Sequence, residues 1–252
     1  SEGVAVFPAA DDYTALWQSM AGARRCITFG DSASADVRVM QAQWHAGAWQ
    51  VQAQTPAGEL SCRLSIAGRH NVINALAACA SALAAGVPLV AVAQGLSHFE
   101  PVQGRSRALS VSVAGHAVTL IDDTYNANPD SVRAAIDVLA ELPGPRMLVL
   151  GDMGEVGSQG PAFHAEVGAY ARSRGIDTLL ALGEQTRETV AQHPQARHFE
   201  SIDKLSADVL SQWGQCHSVL VKGSRFMKME RIIATLQQAA QAGHAREVQP
   251  CC

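Results

Sequence analysis

Apolar residues change their spacing near residue 69, and this change divides the chain into a strand-rich part and a part in which strands alternate with helices. Before it, the apolar runs are short, and residues 49–54 alternate at every second position, which is typical of a half-exposed antiparallel strand. After it, Ile73, Leu76, Ala80 and Leu83 recur at the spacing of one helix face. The pattern predicts two kinds of sheet in one chain.

Strand and helix positions follow from these runs and from the turn residues between them. We predict strands at residues 4–7, 25–29, 37–44, 49–54, 60–66, 108–113, 117–121, 146–150, 178–182 and 218–221. Helices are predicted after Asp12 to about residue 20, from about residue 69, after Pro88 to about residue 98, and at residues 131–141, 161–174, 185–192, 204–213 and 226–237. The alternation after a linker at residues 100–104 favours a parallel, helix-covered sheet.

Composition removes several classes of protein. The chain has 252 residues with a net charge of −4 and no basic block, which argues against a dedicated nucleic-acid-binding protein. Its six cysteines form no C-x-x-C pair, and Cys251 and Cys252 end the chain, so we expect reduced thiols in a cytoplasmic protein. We expect no signal peptide, and we expect no membrane span because Gly86 and Pro88 interrupt the most apolar stretch.

Polar side chains follow the predicted strands at the edge where doubly wound sheets bind ligands. Asp122 and Asp123 end the strand at residues 117–121, and a carboxylate there suits hydrogen bonds to ribose hydroxyls. Asn128 precedes Pro129, which is also typical of a helix N-cap. The turn GDMGEVG (residues 151–157) could contact substrate amines or metal-bound water, or could be a glycine-rich turn with solvated acids.

Two basic segments are candidate anion sites. VKGSR (residues 221–225) leaves the last strand, and the N–H groups after it, with Lys222, Ser224 and Arg225, suit an anion. The alternative is a helix capped by Ser224 with two surface charges. Arg105, in the linker, carries a planar fork that matches phosphate oxygens, although a linker arginine is often simply solvated.

Asn71 and Asn74 lie three residues apart near the start of the helix that follows residue 69. Their carboxamides offer both donors and acceptors, which can read the edge of an adenine. Alternatively, Asn71 caps the helix and Asn74 is solvated. The nine histidines have no metal-ligand spacing, and neither G-x-S-x-G nor G-x-x-x-x-G-K-[ST] occurs, so we predict no metal site in the chain.

Five motifs, taken in order, resemble those of the Mur ligases: GRHNVINALAA (residues 68–78), VQGR (102–105), DDTYNANPDS (122–131), LGDMGEVG (150–157) and VKGSR (221–225). The resemblance covers essentially the whole chain. It implies an α/β protein in which residues 1–100 form the C-terminal part of the central ATP-binding domain, with a mixed sheet and helices. Residues 101–252 would form a Rossmann-like C-terminal domain with a parallel sheet.

The resemblance also implies an activity. Within the family it is strongest to the ligase that joins D-alanyl-D-alanine to UDP-N-acetylmuramoyl-tripeptide through an acyl phosphate, using ATP and Mg²⁺ in cytoplasmic peptidoglycan precursor synthesis. Such an enzyme is expected to be a monomer. When the family's motifs are matched to this sequence position by position, the resemblance implies that the nucleotide-binding residues are Asn71, Asn74, Arg105, Asp123 and Asn126. The residues facing the dipeptide are Asn128, Lys222, Ser224 and Arg225.

Other family motifs have no counterpart in the chain. The phosphate loop, the magnesium-binding Glu and His, and the carbamylated lysine are expected upstream of residue 1, so we expect no catalytic residue in this chain and no turnover by it alone. Two other functions remain open. One is a non-catalytic α/β module that binds a nucleotide or an anion, and the other is a related amide ligase that uses a different amine.

Overall fold

The computed structural model describes residues 3–247. Cys251 and Cys252, two of the cysteines expected to be reduced, lie outside the described residues. The chain divides into two compact units, Ser1–Glu100 and Pro101–Cys252. Among the described residues, no helix combines the length and the apolar composition that crossing a bilayer requires.

The first unit is a five-stranded mixed sheet with three helices. Its strands lie in chain order: β1 (Ala5–Pro8), β2 (Cys26–Gly30), β3 (Val37–His45), β4 (Ala48–Thr55) and β5 (Gly58–Leu64). The first three are parallel, whereas β3, β4 and β5 are antiparallel. The helices are α1 (Thr14–Ala21), α2 (Arg69–Ala84) and α3 (Leu89–Ser97). A mixed sheet with helices was predicted, and the structure confirms it.

The core of the first unit forms where the apolar faces of β4 and α2 meet. Trp49, Val51 and Ala53 are buried while the glutamines between them are exposed, so the alternation in β4 points one face inward. From α2, Leu76 and Cys79 pack into the same cluster. The opposite side of α2 remains outside this core.

The second unit is a six-stranded sheet in the order β10-β9-β8-β11-β7-β6. The strands are β6 (Arg107–Val113), β7 (His116–Asp123), β8 (Arg146–Gly151), β9 (Thr178–Leu182), β10 (Ala196–Phe199) and β11 (Ser218–Lys222). The helices are α4 (Pro129–Ala140), α5 (Gly160–Ser173), α6 (Thr186–Ala191), α7 (Ile202–Gln212) and α8 (Glu230–Glu247). All five residues of β11 are buried, as expected for a central strand covered on both faces.

Three features of the second unit differ from the sequence prediction. The sheet is mixed rather than wholly parallel, because a tight turn at Ala114–Gly115, with φ of 50° and 81°, folds β6 back antiparallel to β7. Strand β10 was missed, since it is short and only partly buried. Helix α8 begins at Glu230 rather than residue 226, because Arg225–Met227 forms a 3₁₀ turn and Lys228 is left-handed.

We predict that three buried thiols resist alkylation in the folded protein. Burial raises the pKa of Cys62, Cys79 and Cys216 to about 11. The thiolate is the reactive form, so at pH 8 its population is roughly a hundredfold lower than that of an ordinary thiol. The reaction rate should keep rising with pH until the pH nears 11. Timed iodoacetamide labelling read by mass spectrometry measures each rate.

The half-buried Cys26 serves as an internal control for this labelling. It should react before the other three at pH 8, and all four should react at similar rates in urea. Equal rates in the folded protein would contradict the burial of these thiols.

Candidate functional site

The carboxyl ends of β7, β11 and β8 lie side by side in the second unit, because these strands are parallel neighbours. Their loops surround a cavity of about 620 Å³, which we call the strand-end cavity. It is lined by Tyr125, Asn126, Gly154, Glu155, Ser224, Arg225, Phe226, Lys228 and Glu230. Three predicted site residues, Asn126, Ser224 and Arg225, are among them. Sequence motifs far apart in the chain therefore meet at one edge of the sheet.

Asp123 is held by a buried ion pair at this edge. Its Oδ2 lies 2.6 Å from Nζ of Lys222, and the two side chains are 16% and 3% exposed. Its Oδ1 accepts from the backbone N–H and the hydroxyl of Ser106, at 3.0 and 3.3 Å. A carboxylate has about four acceptor positions, so three are filled and one remains for a ligand hydroxyl.

Lys222, predicted to face a substrate, is placed mostly inside the protein. Besides Asp123, its ammonium donates to the Asn126 carbonyl at 2.9 Å. Two of its three N–H bonds are thus used within the fold, and one is left for a ligand. Lys222 therefore holds Asp123 and the loop after β7 in place, in addition to any contact that it makes with a ligand.

The linker turn docks on the end of β7 through Gly104. Its N–H donates to the buried Asp122 carboxylate at 3.1 Å, and its carbonyl accepts from the Tyr125 N–H at 3.0 Å. Gly104 has a φ of +77°, and a Cβ there would lie 2.8 Å from the Tyr125 nitrogen. Only glycine combines that conformation with so close an approach. The neighbouring Arg105 is thereby carried to the strand-end region.

Arg105 and Arg225 both lie against the ring of Tyr125. The guanidinium carbons are 4.2 and 5.4 Å from the ring centroid, within cation–π range. Neither arginine has an ion-pair partner among residues 3–242, whose side chains the structure describes. Tyr125 is 42% exposed, so the pair of cations lies at the protein surface.

Ser224 joins three loops and is not a helix cap. Its hydroxyl donates to the Ala127 carbonyl at 3.1 Å and accepts from the Gly154 N–H at 2.6 Å, and its own N–H donates to the Asp152 carbonyl at 3.1 Å. The cap interpretation is wrong because the Ser224 side chain makes no cap hydrogen bond to the 3₁₀ turn at Arg225–Met227, and α8 starts only at Glu230. With 2% of its surface exposed, Ser224 acts mainly by fixing the loops around the cavity.

The two acids of the GDMGEVG turn differ: Glu155 is exposed, as the solvated-turn interpretation expected, whereas Asp152 is buried. Its carboxylate accepts from the N–H groups of Gln185 and Thr186, at 3.3 and 2.9 Å, where α6 begins. The adjacent Met153 N–H donates to Nε2 of the fully buried His164, whose Nδ1 lies 2.7 Å from the Gly160 carbonyl. That geometry assigns the proton to Nδ1, so His164 is neutral and structural.

The two asparagines after β7 differ in whether their side chains remain available to bind a ligand. Asn128 and Ser131 form a capping box at the start of α4, so Asn128 has the structural role that its sequence context allowed. Asn126 accepts from the Ala127 N–H through Oδ1, at 2.9 Å. Its carboxamide nitrogen donates to no atom of the described residues, and Asn126 is among the residues that line the strand-end cavity, so this nitrogen can donate to a ligand.

In the first unit, Asn71 and Asn74 line a second, largely apolar cavity of about 300 Å³ between α2, β5 and α3. The Asn74 amide donates to Asn71 Oδ1 at 3.1 Å, and the Asn71 amide donates to the Ala67 carbonyl at 2.7 Å. The N-cap of α2 is Gly68, without a side-chain cap. Apolar walls with two carboxamides at the rim suit a flat heterocycle.

Two observations at the site escaped sequence reasoning. Tyr125 was seen only as part of a motif, and no periodicity signals a ring between two arginines. Ser106, Glu155 and Lys228 adopt left-handed conformations in loops at the strand ends, where strain in non-glycine residues is typical of functional sites. Among the described residues, no cluster of three or more acidic, histidine or cysteine side chains could hold a metal ion.

Known families match both units. The Mur ligase middle domain matches residues 1–82, and the Mur ligase glutamate ligase domain matches residues 105–225. The UDP-N-acetylmuramoyl-tripeptide–D-alanyl-D-alanine ligase of Escherichia coli K12 is 36% identical over 241 residues, covering 94% of this chain and 52% of the relative. The chain thus spans about half the length of this relative.

Solved structures agree with the sequence matches. The UDP-N-acetylmuramoylalanyl-D-glutamyl-2,6-diaminopimelate–D-alanyl-D-alanyl ligase from Acinetobacter baumannii superposes with a TM-score of 0.74 at 33% identity, covering 94% of this chain and 52% of that one. MurF from Thermotoga maritima, solved with ADP, has a TM-score of 0.73 over 96% of this chain and 55% of its own, and at 21% identity it supports the fold alone. With two domain matches and these relatives, the chain belongs to the Mur ligase family.

Proposed function

We propose that this chain is the part of an ATP-dependent Mur ligase that binds the nucleotide and the incoming amine, with D-alanyl-D-alanine as the amine and UDP-N-acetylmuramoyl-tripeptide as its co-substrate. The observation that carries the proposal is the strand-end cavity, where polar groups from three motifs meet. The names of the Escherichia coli and Acinetobacter baumannii relatives, each of which matches 94% of the chain, support the choice of substrates. In this proposal residues 1–100 belong to a central domain and residues 101–252 form the C-terminal domain.

The nucleotide contacts follow from the chemistry of each residue. Asn71 and Asn74 offer donors and acceptors to an adenine in the apolar cavity of the first unit. In the second unit, Asp123 keeps one acceptor position for a ribose hydroxyl, and Asn126 keeps two amide donors. Arg105 presents an unpaired guanidinium to a phosphate.

The dipeptide contacts are assigned to the strand-end cavity. Arg225 can hold its carboxylate, Ser224 and Asn128 shape the surrounding loops, and Lys222 keeps one N–H for it. We propose that Mg²⁺ is bound by residues outside this chain, that the ligase acts as a monomer in the cytoplasm, and that its product is a peptidoglycan precursor.

We predict that Asn74→Ala weakens ADP binding about fivefold, because one hydrogen bond to the adenine is lost. Isothermal titration of the 252-residue chain with ADP measures the affinity. Ser81→Ala is the matched control, since it removes another exposed polar group from α2 and should leave the affinity unchanged. An Asn74→Ala affinity equal to that of the control would exclude the adenine assignment.

We predict that Gly104→Ala destabilises the second unit by about 3 kcal/mol, since it adds left-handed strain to a clash with the Tyr125 backbone. Hydrogen–deuterium exchange of β7 and β11 peptides reports this loss. Gly115→Ala is the control: φ there is +81° with nothing within 4 Å, so only about 1 kcal/mol of strain is expected. Equal losses in both variants would show that the linker turn is not held as described.

We predict that the chain binds ADP but releases no phosphate from ATP, because phosphoryl transfer needs a phosphate cradle and a metal that its residues do not supply. Titration with ADP tests the binding. A coupled phosphate-release assay with ATP, Mg²⁺ and both co-substrates tests the absence of phosphate release. Turnover above a heat-denatured control would overturn the expectation of inactivity. Absence of ADP binding would refute the proposed function.

A further inference from the structure

Two cations gather at one exposed aromatic ring in the second unit without an anion to balance them. Arg105 comes from the linker turn, Tyr125 from the loop after β7, and Arg225 from the 3₁₀ turn after β11. Like charges so placed repel each other, and the attraction of each guanidinium to the ring offsets only part of that repulsion. The arrangement is therefore built for an anion that enters from outside.

The backbone around the ring is fixed before any ligand arrives. The Tyr125 N–H donates to the Gly104 carbonyl, and the Arg105 N–H donates to the Val102 carbonyl, both at 3.0 Å. Lys228, left-handed at φ 52°, donates its N–H to the Arg225 carbonyl at 3.2 Å and ends the 3₁₀ turn. Since these contacts hold the backbones at which the arginine side chains begin, the ring needs to orient only the side chains.

We propose that Tyr125 is a positioning residue that sets Arg105 and Arg225 as a two-arginine clamp for one oxyanion of the reactants. The clamp rests on the proposed function for the identity of its ligand and changes it at one point. Instead of Arg105 holding a phosphate and Arg225 a carboxylate, both arginines hold the same group, which is a phosphate of the nucleotide or the carboxylate of the dipeptide. Glu155 and Glu230 also line the strand-end cavity, but neither lies within ion-pair distance of Arg225. Two guanidinium forks without internal partners can each donate in pairs to oxyanion oxygens.

The aromatic ring of Tyr125, and not its hydroxyl, positions the two arginines. Two substitutions distinguish the ring from the hydroxyl. Tyr125→Leu removes the ring and should weaken binding of the clamped ligand about tenfold, because both arginines lose their orientation. Tyr125→Phe keeps the ring and should bind within about twofold of the original chain. Arg172→Gln, which removes an exposed arginine of α5 outside the cavity, controls for the loss of general positive charge.

Titration calorimetry with ADP, pyrophosphate and D-alanyl-D-alanine distinguishes the sources of the oxyanion. A loss confined to ADP and pyrophosphate assigns the clamp to phosphate, and a loss confined to the dipeptide assigns it to carboxylate. Pyrophosphate carries the charge without the nucleoside, so its binding tests the clamp even if ADP and the dipeptide fail to bind and the proposed function falls. Affinities unaffected by Tyr125→Leu, or binding of none of the three probes, would overturn the clamp.

A spectroscopic readout separates positioning from a general loss of structure. In ¹H–¹⁵N spectra, the Nε–H signals of Arg105 and Arg225 should carry ring-current shifts that vanish in Tyr125→Leu and persist in Tyr125→Phe. The backbone amide signals of the second unit should stay unchanged in both variants, except for the amides next to the ring in Tyr125→Leu. Arginine signals at unshifted positions in the original chain would also overturn the clamp.

Discussion

The buried ion pair between Lys222 and Asp123 is the interaction on which the second unit's site depends. Charges removed from water to this extent need further hydrogen bonds besides the ion pair itself. Ser106 fills two positions on the carboxylate, and the Asn126 carbonyl fills one on the ammonium. The ends of β7 and β11, the linker turn and the loop after β7 are thereby held together by one pair of charges.

A second set of hydrogen bonds holds the other side of the same sheet edge. Ser224 links the loops after β7, β8 and β11, and Asp152 accepts from the start of α6. These groups satisfy one another inside the protein, as burial of polar atoms requires. Among the described residues, the guanidinium groups of Arg105 and Arg225 and the carboxamide nitrogen of Asn126 have no hydrogen-bond acceptor, and all three side chains belong to exposed residues. The buried residues thus position the site, whereas the exposed residues can contact a ligand.

Periodicity predicted most elements because burial on one face imposes a spacing on the sequence. The alternation in β4 and the continuous apolar run of β11 each match what the structure buries. The same reasoning missed β10, whose few residues are partly exposed, and it missed the antiparallel edge, which depends on the turn at Ala114–Gly115. It also began α8 too early, because a 3₁₀ turn and a left-handed Lys228 leave no mark in the apolar pattern.

The amino-acid sequence by itself determined the strand and helix spacing, the family, and which motifs end strands, because these follow from local periodicity and motif order. Only the tertiary structure decided what each polar residue does. Lys222 and Ser224 carry the same chemistry as surface residues, yet their neighbours in space bury them, whereas Arg105 and Arg225 meet across 120 positions of chain at one tyrosine ring. Burial and pairing depend on contacts between distant segments, and no local pattern encodes them.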